Sequence, residues 1–103
     1  NVIGGGDWAM DRIVPDCMRA WSNNEKVQIR NPEATRPWQY VLEPLSGYIT
    51  LAHKLWQDKK FSGESFNFGS KAKNNVTVRD LINMLGTNWG FKQPDDSYGI
   101  SAR

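Results

Sequence analysis

The residue types best suited to chemistry cluster in the first third of the chain. Gly4-Gly5-Gly6-Asp7-Trp8-Ala9 has the spacing G-x-G-x-x-A, with which a strand-to-helix turn cradles a dinucleotide pyrophosphate on backbone amides. Two features oppose that use. Asp7 would set a carboxylate beside the phosphates, and the short strand expected at Val27 to Ile29 runs into Arg30, where an acidic residue is needed to bind the ribose. A flexible loop leaving a strand is therefore expected, with glycines that still permit close backbone approach to a ligand. Arg30 and Arg36 flank Asn31-Pro32-Glu33-Ala34-Thr35. Two guanidinium forks on one connection can grip a single phosphate group, or can be solvated or paired with Glu33 and Glu43. On the local pattern alone Arg12 reads as a surface residue or as a ligand.

The remaining reactive types do not assemble a reaction centre. Cys17 and His53 are the sole cysteine and histidine, which excludes an internal disulfide framework and a Cys/His zinc site. Cys17 falls inside a helical apolar stripe and is expected to be a small inert hydrophobe; His53 reads as a structural or surface residue. No serine-hydrolase elbow, zinc-protease helix or P-loop occurs, and Tyr40, Tyr48 and Tyr98 are not followed four positions later by lysine. Asp95-Asp96 lies in a polar tail and is expected to be solvated. The expectation is no catalytic residue, no cofactor-binding residue and no metal ligand in this chain.

These groups need elements to position them. The chain has 103 residues, 39% of them apolar, with five tryptophans, four phenylalanines and three tyrosines. That is enough to fold as one small domain and too little for a complete two-domain cofactor enzyme. Lys plus Arg exceed Asp plus Glu by 13 to 11, far from the basic excess of a nucleic-acid-binding module. No apolar run approaches the ~20 residues of a membrane span, so neither nucleic acid nor membrane is an expected partner, and the cysteine usage suits a reducing, cytoplasmic setting. Asn1 opens directly onto the glycines without a methionine, as though a strand had been cut near its end, which is the expectation for a fragment.

Ile13, Val14, Cys17, Met18 and Trp21 recur at helical spacing, with Asp11 as candidate cap, Pro15 in the first turn and Ser22-Asn23-Asn24 as stop. A strand is expected at Val27 to Ile29, and Trp38 to Leu42 leads into a second helix over 43–57. Leu45, Tyr48, Ile49, Ala52, Leu55 and Trp56 form that helix's apolar stripe. Ser65 to Phe68 reads as a strand with both phenylalanines on one face. Thr77-Val78-Arg79-Asp80 starts a third helix that Gly86 or Gly90 stops. The fold class is mixed αβ (α+β), with about three amphipathic helices and three or four short strands; residues 92–103 are expected to be a loop or frayed tail.

Asn1-Val2-Ile3-Gly4-Gly5-Gly6-Asp7-Trp8, Arg12-Ile13-Val14-Pro15-Asp16 and Ile29-Arg30-Asn31-Pro32 closely resemble the CDP-glucose 4,6-dehydratases, in the extended short-chain dehydrogenase/reductase group. The longest shared run is Arg36-Pro37-Trp38-Gln39-Tyr40-Val41-Leu42-Glu43-Pro44-Leu45-Ser46-Gly47-Tyr48. The likeness is strong to about Gln57, fair through the Thr77 helix and poor after about Trp89; Tyr40 departs from a histidine of many relatives. It implies a partial nucleotide-sugar-binding lobe at 1–91, without the Rossmann domain that holds NAD and the Tyr-x-x-x-Lys pair. By the same likeness Asn1 lies near the sugar-proximal phosphate, Arg12 and Ile13 frame the nucleotide, Gln28 and Arg30 sit beside base or ribose, and Arg36 grips the diphosphate.

In the complete enzymes, NAD oxidises C4 of the sugar, water leaves across C5 and C6, and the hydride returns to C6, giving a 4-keto-6-deoxy sugar for lipopolysaccharide O-antigen. For this chain the resemblance implies CDP-glucose as ligand, no NAD and no activity alone. A second expectation comes from size: a core this small, without its neighbour, leaves apolar faces that self-association would cover. A structural or interaction module, present as a homo-oligomer, is that alternative.

Overall fold

The computed structural model describes residues 1–69, 75–93 and 96–100. Its elements follow the order β1 (Val2–Ile3), α1 (Ile13–Ser22), β2 (Val27–Ile29), β3 (Thr35–Arg36), β4 (Gln39–Tyr40), α2 (Leu42–Gln57), β5 (Val76–Thr77), α3 (Val78–Trp89) and β6 (Tyr98–Ile100), with a 3-10 turn at Lys59–Phe61. The mixed α/β class is as expected from the sequence. The strands are shorter and more numerous, and they pair in three separate ladders: β1 with β4 and β2 with β6, both parallel, and β3 with β5, antiparallel.

Helix α1 forms because its apolar positions share one side and its breakers lie at its ends. Pro15 sits in the first turn, where no backbone donor is required. The expected cap is corrected: Arg12 occupies the N-cap position without a side-chain bond, and Asp11 precedes it with φ 59. At the other end Asn24 takes φ 58, a left-handed conformation that asparagine tolerates and that stops the helix. Cys17 and Trp21, one turn apart, are buried against Val27, Ile29, Ile82 and Tyr98.

The segment 92–103, expected to be a loop or frayed tail, instead supplies β6. Tyr98 pairs with Val27, Gly99 with Gln28 and Ile100 with Ile29. Polar composition hid this strand, because only Tyr98 adds a side chain to the core and much of the remaining hold comes from a backbone atom. The Ser97 carbonyl accepts from the Trp21 indole Nε1 at 2.7 Å and from the Val27 amide at 3.2 Å, and Ser97 is fully buried. Gly86 of α3 makes the room: a β-carbon there would lie 3.2 Å from the Ser97 Cβ. Positions 94–95 and 101–103, Asp95 among them, lie outside the described residues.

Helix α3 starts as expected, with Thr77 Oγ1 accepting from the Asp80 amide at 3.0 Å and donating to Asp80 Oδ2 at 2.6 Å. Gly90, at φ 109, ends it. Its first amides are also used: Val78 N–H donates to Ala34 O and Arg79 N–H to Pro32 O, both at 2.9 Å. The connection between Arg30 and Arg36 is thereby tied to a helix end.

Helix α2 spans the expected stretch, yet its apolar stripe faces solvent: Leu45, Tyr48, Ile49 and Trp56 are exposed, Trp56 by 90%. Of these four, Tyr48 also meets the Phe68 ring edge-on at 4.9 Å. The opposite side holds Gly47 and Leu51 against Phe61, Phe66 and Phe68, around a cavity of about 300 Å³. A β-carbon at Gly47 would fall 2.2 Å from the Phe68 ring, so glycine is required for that approach. Ser65 to Phe68 is not a strand; it meets β4 through a side-chain bond, from Gln39 Nε2 to Phe68 O at 2.9 Å, and not through a backbone ladder. With a second cluster so far from the α1 core, the molecule is elongated, 53 × 25 × 24 Å, with a radius of gyration of 17.3 Å against about 13 Å for a compact chain of this length.

Trp21 joins α1, β2 and β6, so its substitution is expected to be costly. Trp21→Phe retains most of the ring and loses the buried bond, at about 1–2 kcal/mol, whereas Trp21→Ala should cost about 3–5 kcal/mol. Urea denaturation measures both, and a loss below about 0.5 kcal/mol for either variant would contradict the assignment.

Candidate functional site

Along one flank the ends of β1, β2 and β3 and the start of α1 border an open groove of about 900 Å³. Each is held by a different local cause. Asn1 is carried beside β4, where the Gln39 amide donates to Asn1 O at 3.0 Å and Val41 to Ile3 O at 2.9 Å. Gly4 allows this contact, since a β-carbon there would fall 2.9 Å from Val41 Cγ1. Arg12 and Ile13 stand at the N-terminus of α1. Gln28 and Arg30 follow from the alternation of β2, whose Val27 and Ile29 are buried while Gln28 faces out. Arg36 projects from β3, beside Trp38, whose indole donates to Val76 O at 3.1 Å.

All six residues singled out in the sequence, Asn1, Arg12, Ile13, Gln28, Arg30 and Arg36, line this groove. Sequence reading missed Trp8, Trp38, Met18 and Asp11 as lining residues. Trp8 is 70% exposed, and an exposed tryptophan next to three glycines was the available signal. The lining also pairs its charges in a way not foreseen. Arg30 lies 3.6 Å from Asp11 rather than with Glu33 or Glu43, and Glu33 instead pairs with Arg79 of α3. Arg12 Nη1 donates to Asp7 Oδ2 at 2.9 Å, and Asp16 pairs with Arg19. Among the described residues no ion pair involves Arg36, whose Nη1 donates to the Thr35 carbonyl at 2.8 Å. Arg36 is the groove cation with no carboxylate to displace.

The glycine loop does not form a dinucleotide cradle. Helix α1 begins only at Ile13, so the glycines do not lead directly into a helix N-terminus, and Asp7 lies in the intervening segment. The Ala9 amide first, and the Arg12 guanidinium second, hold Asp7 below the usual carboxylate range, so it stays ionised.

The sole histidine and cysteine lie away from the groove lining. His53 is exposed on α2 and lies outside the groove lining. Cys17 is fully buried; burial first, and the neighbouring Asp16 charge second, push its thiol up to about 12. Among the described residues no group of three or more His, Cys, Asp or Glu is placed to hold a metal ion, and no helix is long and apolar enough to cross a membrane.

Fold and site together define a mixed α/β chain with an open groove on which arginines from α1, β2 and β3 converge, an arrangement suited to a phosphorylated ligand. The chain is 50% identical over 90 residues to the CDP-glucose 4,6-dehydratase of Salmonella typhimurium, a match that covers 87% of this chain and 25% of that protein. It is therefore homologous to the C-terminal part of a CDP-glucose 4,6-dehydratase and spans about a quarter of that relative's length. No model of a known protein family matches it.

Burial of Cys17 sets an alkaline limit. The folded thiol ionises near 12, above the ordinary value of 9.0, so the folded state retains a proton that the unfolded chain gives up. Its contribution is complete below pH 9 and is lost as pH rises toward 12. Urea midpoints should fall across that window, and Cys17→Ser should flatten the fall. Native protein should also resist thiol reagents at neutral pH; rapid labelling without unfolding would contradict this placement.

Proposed function

We propose that this chain is the nucleotide-sugar-binding lobe of a CDP-glucose 4,6-dehydratase, one that positions its ligand and does not carry out the reaction by itself. The observation that supports the reading best is that one groove is lined by Arg12, at the start of α1, together with Arg30 and Arg36, at the two ends of the 31–35 connection. A diphosphate carries its charge on exchangeable oxygens, and planar guanidinium groups match them in pairs. Arg36 takes the first contact, because it gives up no carboxylate on binding. Asn1 and Gln28 supply carboxamides, which offer both a donor and an acceptor to sugar hydroxyls or a base edge, and Trp8 and Trp38 offer flat apolar surface to a ring.

On this reading the chain's role is positional and electrostatic: it fixes the nucleotide and neutralises phosphate charge. NAD and the proton-transfer groups belong to another part of the complete enzyme. The exposed α2 stripe and the parallel pair β1–β4 support such a complement, because parallel strands are normally covered on both faces.

The exposed stripe also favours a second reading, a module that self-associates through α2. Light scattering with Ile49→Glu separates the two. An oligomer that the charge disperses, with no response to CDP, favours self-association as the function; a monomer that responds to CDP favours the lobe.

Calorimetric titration with CDP, CDP-glucose and UDP-glucose tests the first reading directly. Binding at millimolar ligand or tighter is expected for the cytidine compounds, with Arg36→Ala weakening it tenfold or more, the worth of a charged hydrogen bond of about 1.5–3 kcal/mol. No heat from any ligand at millimolar concentration contradicts retained binding, and an unchanged affinity in Arg36→Ala contradicts the phosphate contact.

A further inference from the structure

The loop from Gly4 to Asp11 brings its own anions to the groove. Asp7 reaches Arg12 at 2.9 Å, and Asp11 lies 3.6 Å from Arg30. Two of the three groove arginines therefore face carboxylates of one eight-residue loop. A diphosphate that uses the same guanidinium edges has to displace them.

The loop's local structure separates a fixed half from a movable half. Arg19 on α1 donates to Trp8 O at 2.8 Å and to Ala9 O at 3.1 Å, which pins the second half to the helix. Gly5 and Gly6 have open space around them, and Gly6 takes φ +75. Asp7 sits at the junction, with Oδ1 accepting from the Ala9 amide at 3.1 Å and Oδ2 held by Arg12. Its two oxygens thus have separate tasks, one shaping the turn and one occupying the cation. The Arg30–Asp11 pair is open to solvent, at 77% and 87%, and the Arg12–Asp7 pair is open on the arginine side and half-buried at Asp7, at 62% and 29%. Pairs of this kind are weak enough for a ligand to break.

We propose that Asp7 is a built-in counter-ion, occupying Arg12 in the free protein and yielding it to the phosphate group of the bound nucleotide, with the Gly5-Gly6 segment as the hinge. Asp11 does the same for Arg30 more weakly. The device rests on the groove being the nucleotide site proposed above. It lowers the positive charge of the free groove, since Asp7 and Asp11 offset Arg12 and Arg30, and it favours ligands with enough charge to win the exchange.

Asp7→Asn isolates the effect, because the amide oxygen still accepts from Ala9 while the negative charge that faces Arg12 is removed. Titrations with inorganic pyrophosphate and with CDP are run on the wild type, Asp7→Asn, Asp16→Asn, Arg12→Ala and the Asp7→Asn/Arg12→Ala pair. Asp7→Asn is expected to tighten binding about two- to fivefold, Asp16→Asn to change it less, and the Asp7 effect to vanish without Arg12. Equal or weaker binding by Asp7→Asn overturns the proposal while leaving the nucleotide site intact. An undiminished gain in the Arg12→Ala background also overturns it, as a general charge effect. If neither the wild type nor any variant binds pyrophosphate or CDP, the nucleotide site itself fails, and the counter-ion role fails with it.

Discussion

The Ser97 carbonyl is the atom on which the described architecture depends. It lies at the meeting point of α1, β2 and β6 and accepts from both the Trp21 indole and the Val27 amide. A carbonyl buried without partners costs more than a typical hydrogen bond gains, so these contacts bind the end of the chain to its first helix. Trp21 also stacks obliquely on Trp89 at 5.7 Å and edge-on with Phe91 at 5.4 Å, which brings α3 to the same point. The groove inherits its shape from this arrangement. Once β2 is fixed by Val27 and Ile29, Gln28 and Arg30 point to the flank, and α1 presents Arg12 and Ile13 beside them.

The second constraint is electrostatic. Arginines placed together repel, and the groove relieves this at Arg12 and Arg30 with carboxylates from its own loop. Arg36 is the exception, carried on a two-residue strand that is paired with Val76 and Thr77 and steadied by the Trp38 indole. Tying the 31–35 connection to the first amides of α3 uses donors that a helix end otherwise leaves unsatisfied. Structural hydrogen bonds and groove-lining cations are thus arranged on the same few residues.

Much of this was legible in the sequence because it depends on local pattern. The three helices announce themselves by apolar spacing, and Thr77 and Gly90 mark the ends of α3. The six groove residues were legible through family likeness, while local pattern alone left Arg12, Arg30 and Arg36 open between surface and ligand. What stayed hidden is set by contacts across the chain. The polar 92–103 segment gives no periodic signal for β6, since Ser97 is retained by its backbone carbonyl and by the absence of a side chain at Gly86. Aromatic composition at Ser65 to Phe68 suggested a strand, but a strand needs a backbone ladder and the described residues form none there. The α2 stripe was correctly placed on a helix; its exposure follows from what lies around that helix, which no residue within it encodes. The Asp7–Arg12 and Asp11–Arg30 pairs belong to the same class, because they depend on the path of a glycine-rich loop.

The central claim is that one groove, assembled from three segments, receives a nucleoside diphosphate. A two-dimensional NMR titration of isotopically labelled protein with CDP locates the ligand residue by residue. The account predicts saturable shifts concentrated at Arg12, Ile13, Gln28, Arg30 and Arg36, with the exposed face of α2 unaffected. Shifts confined to α2, or spread evenly over surface cations without saturation, would contradict it.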